Sequence, residues 1–263
     1  MLFFAFFIVL QKYEKPRIFN CSACCFLYSV RLFVTFAAEF ARRQKQKPMK
    51  NDAIAALFDL DGVIFDTEPQ YSEFWGGVGR RYRPEAVGFD REIKGQTLVQ
   101  IYDRWFAGDG ELQRRITEEL DEFERNMTFD YLPETERFLE ELRTAGVRTA
   151  VVTSSNEPKM RNVYLKHPEL TGWFDEILTS ERFAHSKPEP DCYLLGAEVF
   201  GIAAARCVVF EDSLHGIEAG RRAGMKVVGL STTNPACRIA PLCDAVIPDF
   251  TDFGLRNVKD LLS

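Results

Sequence analysis

Short apolar runs that end at turn residues recur along the chain. Four of them are Ala53–Phe58, Arg148–Val152, Cys207–Phe210 and Val227–Leu230, and Ala245–Ile247 has the same form. Apolar runs of this length, without regular polar alternation, are typical of strands that are buried on both faces of a parallel sheet. The pattern therefore predicts five parallel strands.

Amphipathic segments lie between these strands. Pro133–Ala145, Pro190–Phe200 and Leu214–Ala223 carry apolar residues at helical spacing, and each is followed by a glycine that can end a helix. Strands that alternate with helices indicate right-handed βαβ units. The predicted fold class is therefore α/β, with a Rossmann-like parallel sheet as its core.

One long segment interrupts this alternation. Residues 67–132 contain no convincing strand, and a helical segment of about 65 residues is too long for a simple crossover. Its amphipathic stretches are Gln70–Tyr82, Leu98–Phe106 and Leu112–Arg125. We therefore predict that residues 67–132 form an inserted all-helical cap domain, and that residues 49–66 and 133–263 form the core domain.

Residues 1–48 differ in composition from the rest of the chain. They hold nine of the 23 Phe residues and a net charge of +6, whereas the whole chain has a net charge of −6. Their uncharged runs fall short of the roughly 18–20 residues that span a bilayer, and they lack the basic start of a secretory signal. We interpret them as a leader outside the folded domain, with translation starting at Met49. A targeting segment and a structured extension remain alternatives.

The charge and cysteine content exclude some classes of function. A net charge of −6 argues against a general nucleic-acid binder, which needs a basic face. The cysteines after Met49 show no metal-ligand spacing, so we expect buried, reduced thiols in a cytoplasmic protein. We also expect a monomer without a membrane partner.

Two aspartates directly follow the first predicted strand. Because side chains alternate along a strand, Asp59 and Asp61 point to the same side. Neighbouring carboxylates need a cation or a shared proton between them, and parallel sheets bind ligands at the carboxyl ends of their strands. A solvated turn is the alternative interpretation.

Three further polar segments could complete a site. Thr153 and Ser154 follow the second strand and could hold phosphate oxygens, although such residues also cap helices. Lys187 lies on a loop stiffened by prolines, where it could neutralise a phosphate or simply be exposed. Glu211 and Asp212 follow another strand and offer the carboxylate oxygens that Mg²⁺ prefers, unless they are merely solvated.

Together these segments resemble the motifs of the haloacid dehalogenase superfamily, in the branch with a helical cap between the first two motifs. The matching segments are Asp59-Leu60-Asp61-Gly62-Val63 with Asp66-Thr67, Thr153-Ser154-Ser155, Lys187-Pro188 and Glu211-Asp212-Ser213. Within this branch the chain is similar to the sugar-phosphate phosphatases and the β-phosphoglucomutases. The resemblance begins near Ala53. It implies a Mg²⁺-dependent phosphatase that acts on a small phosphorylated sugar or polyol through an aspartyl phosphate.

The resemblance also implies a role for each residue. Asp59 would attack phosphorus, and Asp61 would act as general acid and then as general base. Thr153, Ser154 and Lys187 would hold the phosphoryl group. The implied Mg²⁺ ligands are Asp59, the backbone carbonyl of Asp61 and Asp212, with Glu211 as a ligand or a supporting residue.

The cap carries the features that separate phosphatases from mutases in this family. Gly95 and Gln96 match a cap loop and are candidate substrate-binding residues. The mutases carry a His where this chain has Tyr71, and an Arg where it has Leu98. These departures favour a phosphatase over a β-phosphoglucomutase-like mutase. An inactive binding module would be expected to lack Asp59, Asp61 or Lys187.

Overall fold

A computed structural model describes residues 53–263. The predictions about the leader 1–48 and the start at Met49 fall on residues outside this described part. Six parallel strands form one sheet in the order β3-β2-β1-β4-β5-β6. The strands are β1 (Ala55–Phe58), β2 (Arg148–Val152), β3 (Glu176–Leu178), β4 (Cys207–Glu211), β5 (Lys226–Leu230) and β6 (Ala245–Ile247).

The α-helices of the described residues fall into two groups. Four follow β1 and fall within the predicted insertion 67–132: α1 (Glu68–Tyr82), α2 (Phe89–Glu92), α3 (Leu98–Trp105) and α4 (Gly110–Asn126). The others are α5 (Thr135–Thr144), α6 (Glu157–Lys166), α7 (Leu170–Trp173), α8 (Asp191–Phe200), α9 (Leu214–Arg222), α10 (Ala236–Ile239) and α11 (Leu255–Leu261).

Both faces of the sheet are buried, which explains why the strands are continuous apolar runs. On one face Phe58 stacks on Phe210 with ring centroids 4.5 Å apart, and both rings also contact Phe138 of α5. On the other face Leu57 and Val209 belong to a separate apolar cluster with Ile217 of α9. Alternate residues of one strand thus point into two different cores.

The register of the three central strands positions the polar segments. Phe58 of β1 pairs with Val151 of β2 and with Phe210 of β4. Because parallel strands in this register end at one edge, the residues that follow them meet there. The strands that follow β1 in sequence, β2 and β3, lie on one side of it, whereas β4, β5 and β6 lie on the other side. The boundary between β1 and β4 is therefore a topological switch point, where parallel sheets form ligand-binding crevices.

The helices α1 to α4 pack around an apolar cluster of their own. Its buried members are Trp75, Val78, Phe89, Ile93, Ile101, Phe106, Ile116 and Leu120. At the start of α3 a capping box joins Thr97 and Gln100 and satisfies backbone N–H groups of the first turn. The α/β fold class with an inserted helical segment is confirmed, whereas the boundaries at 67 and 132 stay predictions.

The five predicted strands are confirmed, but the sequence interpretation missed β3. This strand has three residues, begins with a glutamate and lies at the sheet edge. A segment this short cannot show an apolar run, because only Leu178 is fully buried. The expectation of buried thiols is correct for Cys192 and Cys207, whereas Cys243 is half-buried and Cys237 is exposed. No helix within 53–263 is long and apolar enough to cross a membrane.

The aromatic cluster around Phe58 yields a test of the core. Phe138 is fully buried and contacts four other phenylalanine rings. Phe138→Ala should lower the free energy of unfolding by about 3–5 kcal/mol, measured by urea denaturation. Val87→Ala, at a side chain that is 93% exposed, should change it by less than about 0.5 kcal/mol. Equal effects of the two substitutions would contradict this description of the core.

Candidate active site

The polar segments meet at the carboxyl-end edge of the sheet. Asp59 directly follows β1, Thr153 directly follows β2, and Asp212 directly follows β4. Lys187 reaches the same place from the loop before α8. The structure therefore brings together one residue from each of the four segments singled out in the sequence.

Lys187 is the centre of this cluster, and only 1% of it is exposed. Its ammonium group donates hydrogen bonds to Asp59 Oδ1 at 2.5 Å, Glu211 Oε1 at 2.6 Å and the carbonyl of Val152 at 3.1 Å. Burial alone would lower the pKa of Lys187, but the two carboxylates raise it above its usual value. Lys187 is thus a buried cation rather than an exposed loop lysine.

Glu211 has both carboxylate oxygens occupied by donors. Oε1 accepts from Lys187 and from the hydroxyl of Tyr193, the latter at 2.9 Å. Oε2 accepts from the backbone N–H of Asp212 at 3.0 Å and from the N–H and hydroxyl of Ser213 at 3.1 and 3.0 Å. A Cβ on Gly216 would lie 1.7 Å from Oε1, so α9 can approach Glu211 only with glycine there.

Three carboxylates lie close enough to hold a metal ion. Ligand atoms of Asp59, Glu211 and Asp212 lie within 4.8 Å of one another. Burial raises the pKa of Asp212, and the carboxylates of Glu68 and Glu211 raise it further. Asp212 accepts one hydroxyl hydrogen bond, from Thr233, which leaves oxygen lone pairs for a hard cation. The donor set fits Mg²⁺, with Asp59 and Asp212 better placed as ligands than the fully hydrogen-bonded Glu211.

Asp61 is held by a different set of donors. Its Oδ1 accepts from the hydroxyl of Thr67 at 2.6 Å, and its Oδ2 accepts from the hydroxyl of Ser155 at 3.1 Å. The ammonium group of Lys159, on α6, also contacts Oδ2. The two aspartates of the first segment therefore pair with different lysines, Asp59 with Lys187 and Asp61 with Lys159.

Sequence reasoning missed several residues of this cluster. Lys159 resembles an ordinary lysine in the first turn of a helix, and nothing in its spacing indicates that it is 3% exposed and faces Asp61. Thr233 and Asn234 follow β5, and Asn234 donates to the backbone carbonyl of Asp212 at 3.0 Å. A signal for them existed, because Ser231-Thr232-Thr233-Asn234 ends a strand as Thr153-Ser154-Ser155-Asn156 does.

The remaining predicted residues lie where the cap loop meets the core. Thr153 is buried and accepts from the N–H of Ser155 at 3.0 Å, while Ser154 donates to the carbonyl of Gly95 at 3.3 Å. Gly95 has a φ of +77°, and a Cβ there would lie 2.4 Å from Ser213 Oγ. Gln96 lines the adjoining cavity, but its amide donates to the carbonyl of Glu92 at 2.7 Å.

A cavity of about 880 Å³ opens above these residues. Its floor contains Asp59, Asp61, Thr153 and Asp212, and its other walls come from the inserted helices and the loop before α8. This volume lies in the range of small-molecule sites, about 300–1,000 Å³. The Asp59 carboxylate and a candidate metal site thus face a space that fits a phosphorylated metabolite, with the buried Lys187 cation paired to Asp59 behind the floor.

The family model described as haloacid dehalogenase-like hydrolase matches residues 55–224. The chain belongs to this family. The match spans β1 through α9 and so contains all four polar segments. The family resemblance inferred from the motifs is confirmed.

Individual relatives of this hydrolase agree with the family assignment. Hexitol phosphatase A of Escherichia coli is 34% identical over 186 residues, which cover 66% of this chain and 82% of that protein. Fructose-1-phosphate phosphatase YqaB of Escherichia coli is 29% identical over 181 residues, which cover 65% and 93%. The crystal structure of β-phosphoglucomutase from Clostridium difficile superposes with a TM-score of 0.67, at 21% identity, over 80% of this chain and 97% of that one. At that identity the superposition shows the fold alone.

The nucleophile candidate of the hydrolase has an unusual pKa. Burial raises the pKa of Asp59 from 3.8 to about 7, although Lys187 opposes the shift. Between these two values the folded protein keeps a proton that the unfolded chain releases. Stability contributed by this group is therefore present at low pH and is lost as the pH rises from about 4 to about 7.

This linkage predicts how Asp59→Asn changes stability. In chelator, the variant should gain unfolding free energy relative to wild type as the pH rises from 5 to 8, by about 1 kcal/mol or more. Urea denaturation at both pH values measures the difference. Asp252→Asn, at an exposed residue outside the cavity, serves as the control and should show no such gain. A difference between Asp59→Asn and wild type that stays constant with pH would exclude the raised pKa.

Proposed function

We propose that this chain is a Mg²⁺-dependent phosphomonoester hydrolase that acts on a small phosphorylated sugar or polyol through an aspartyl phosphate. The observation that carries the proposal is that Asp59 lines the floor of an open cavity and pairs with the buried Lys187 behind it. A carboxylate attacking a phosphate dianion needs positive charge beside it, and Lys187 provides that charge. The two Escherichia coli sugar-phosphate phosphatases support the substrate class.

In the proposed first step Asp59 attacks phosphorus. Because Oδ1 accepts the Lys187 hydrogen bond, Oδ2 forms the new bond to phosphorus. The bond from phosphorus to the alcohol oxygen breaks, and Asp61 gives its proton to that oxygen. Thr153 and Ser154 contribute hydroxyl and N–H groups that hold the phosphoryl oxygens, and the positive charge of Lys187 beside Asp59 stabilises them electrostatically.

In the second step water hydrolyses the aspartyl phosphate. Asp61, now a carboxylate, takes a proton from the water as its oxygen bonds to phosphorus. The bond between phosphorus and Asp59 breaks, which restores the free carboxylate and releases inorganic phosphate. Asp61 ends the cycle protonated and ready to act as an acid again.

The proposed metal site consists of Asp59, Asp212 and the backbone carbonyl of Asp61. Bound there, Mg²⁺ would neutralise charge on the transferring phosphoryl group. Glu211 supports this site indirectly, because it fixes Lys187 and accepts the N–H of Asp212. Thr233 and Asn234 hold Asp212 from the neighbouring strand end.

We also propose that residues 67–132 act as a cap that closes over the bound substrate. Three hydrogen bonds support this, because they join the inserted segment to the core around the cavity: Ser154 to Gly95, His215 to the carbonyl of Lys94, and Gln100 to the carbonyl of Lys187. The proposal further includes a monomer that works in the cytoplasm.

A phosphomutase remains the second candidate, because the chain shares its fold with a β-phosphoglucomutase. The residue at the position of the mutase His is Tyr71, whose hydroxyl donates to Glu124 at 2.8 Å. A phenol held in this way is a poor substitute for an imidazole that moves a proton near pH 7. This contact favours hydrolysis.

Removal of the metal should abolish turnover. With excess chelator, hydrolysis of p-nitrophenyl phosphate should fall to background, and added Mg²⁺ should restore it. Ca²⁺ should inhibit, because it takes more ligands at longer distances and would misplace the nucleophile. Full activity in chelator would contradict the proposed metal site.

The two aspartates should give different defects. Asp59→Asn removes the nucleophile, so no phosphoenzyme should form. Asp61→Asn removes the acid and base, which typically contribute about 10²–10⁴-fold, so an aryl phosphate should still phosphorylate Asp59 while a sugar phosphate barely reacts. Rapid quench and intact-mass measurement should show an added phosphoryl group in Asp61→Asn alone. The reverse pattern would make Asp61 the nucleophile and Asp59 the acid and base. Wild-type turnover in both variants would contradict both assignments.

A further inference from the structure

The cavity extends well beyond the phosphoryl-binding floor. Its cap-side wall contains residues of the inserted helices: Tyr71, Trp75, Leu98, Ile101, Leu120 and Glu124. This wall faces the space that the leaving group of the substrate would occupy. Its chemistry therefore bears on which leaving groups the site accepts.

Every lysine among the described lining residues is already paired with a carboxylate. Lys94 lies 2.5 Å from Glu68, and Lys159 contacts Asp61. No arginine belongs to the described lining, and the one lining histidine, His185, pairs with Asp191 at the exposed rim. A second anionic group on a substrate would find no unpaired cation on this wall.

The wall also carries acidic groups of its own. Asp90 and Glu124 line the cavity without a salt bridge to any described residue. Glu124 is 6% exposed, and the Tyr71 hydroxyl donates to its Oε1 at 2.8 Å. No described side chain donates a hydrogen bond to its Oε2. A carboxylate oxygen with a free lone pair on a cavity wall is a strong acceptor for a hydroxyl group.

The surroundings hold Glu124 in place. Tyr71 donates its hydroxyl hydrogen bond to Glu124, and the ammonium group of Lys159 lies 4.6 Å from the centroid of the Tyr71 ring. Lys159 in turn contacts Asp61. If Lys159 moved to bind a second phosphate, Asp61 would lose its cation and Tyr71 its cation–π contact, so Lys159 is poorly placed to serve as a spare cation.

We infer that the site selects monophosphates whose leaving group is a neutral, hydroxylated molecule, and that Glu124 is a specificity-determining residue that accepts a hydrogen bond from a substrate hydroxyl. The inference rests on the proposed phosphatase function and narrows its substrate class. A bisphosphate would bring a second dianion against Glu124 and Asp90 at the cost of its hydration, and the nearby Lys159 is already paired with Asp61. The same selection disfavours a mutase, since phosphoryl transfer to a second hydroxyl of a sugar phosphate passes through a bisphosphate.

Fructose 1-phosphate and fructose 1,6-bisphosphate form a matched pair of probes, because they share the reacting 1-phosphate. For hydrolysis of the 1-phosphate by wild type, the kcat/KM of the monophosphate should exceed that of the bisphosphate at least about tenfold. Glu124→Gln keeps the shape but removes the charge, so this ratio should fall by about threefold or more, with a higher KM for the monophosphate. Glu122→Gln, an exposed residue of the same helix outside the cavity, should leave the ratio unchanged.

Glu124→Asp is the second variant. It keeps the charge but withdraws the oxygen by one methylene, so it should keep the discrimination against the bisphosphate while raising the KM for the monophosphate. Equal kcat/KM values for both sugars in wild type would overturn the inference. Glu124 would have no role in specificity if Glu124→Gln kept the wild-type ratio of the two kcat/KM values. The same conclusion would follow if Glu124→Asp kept the wild-type KM for the monophosphate.

Binding separates this inference from the proposed function. If wild type with Mg²⁺ leaves p-nitrophenyl phosphate and both sugars intact, the phosphatase proposal fails. Calorimetric titration of Asp59→Asn with the two sugars then decides the inference alone. Tighter binding of the monophosphate would support it, and equal or tighter binding of the bisphosphate would overturn it.

Discussion

The burial of Lys187 between Asp59 and Glu211 is the interaction on which the rest of the site depends. Three carboxylates lie together at the edge of the sheet, and without a cation among them their mutual repulsion and lost hydration would oppose folding. Lys187 supplies one positive charge to this group. The register of β1, β2 and β4 places the carboxylates and the Val152 carbonyl around that charge.

This dependence explains which parts of the site could be predicted from the sequence. Residues that directly follow a central strand, such as Asp59, Thr153 and Asp212, have positions fixed by strand register, so a strand prediction already places them together. Lys187 lies on a loop, and its partners follow from the motif resemblance rather than from periodicity. The strand β3 was missed because three residues cannot display a period.

Residues on helix faces could not be predicted in this way. Lys159, Tyr71 and Glu124 lie on three different helices, and their contacts arise only when the inserted helices pack against the core. A helical period says which side of a helix is apolar, but it does not say which polar residue at the margin of that side faces a cavity. The floor of the cavity and the cap loop at Gly95 and Gln96 were therefore predictable, whereas the contacts on its helical wall required the tertiary structure.

Gly216 has a consequence for how the enzyme can be disabled. Its missing side chain is what allows Glu211 to lie against the start of α9, and Glu211 in turn orients the buried lysine. An alanine at position 216 would displace Glu211 and thereby shift the charge of Lys187, although the alanine itself would not contact Lys187. A chain of this family could thus become inert while every polar motif residue remained intact, so an inventory of motif residues alone would classify a broken catalyst as a working one.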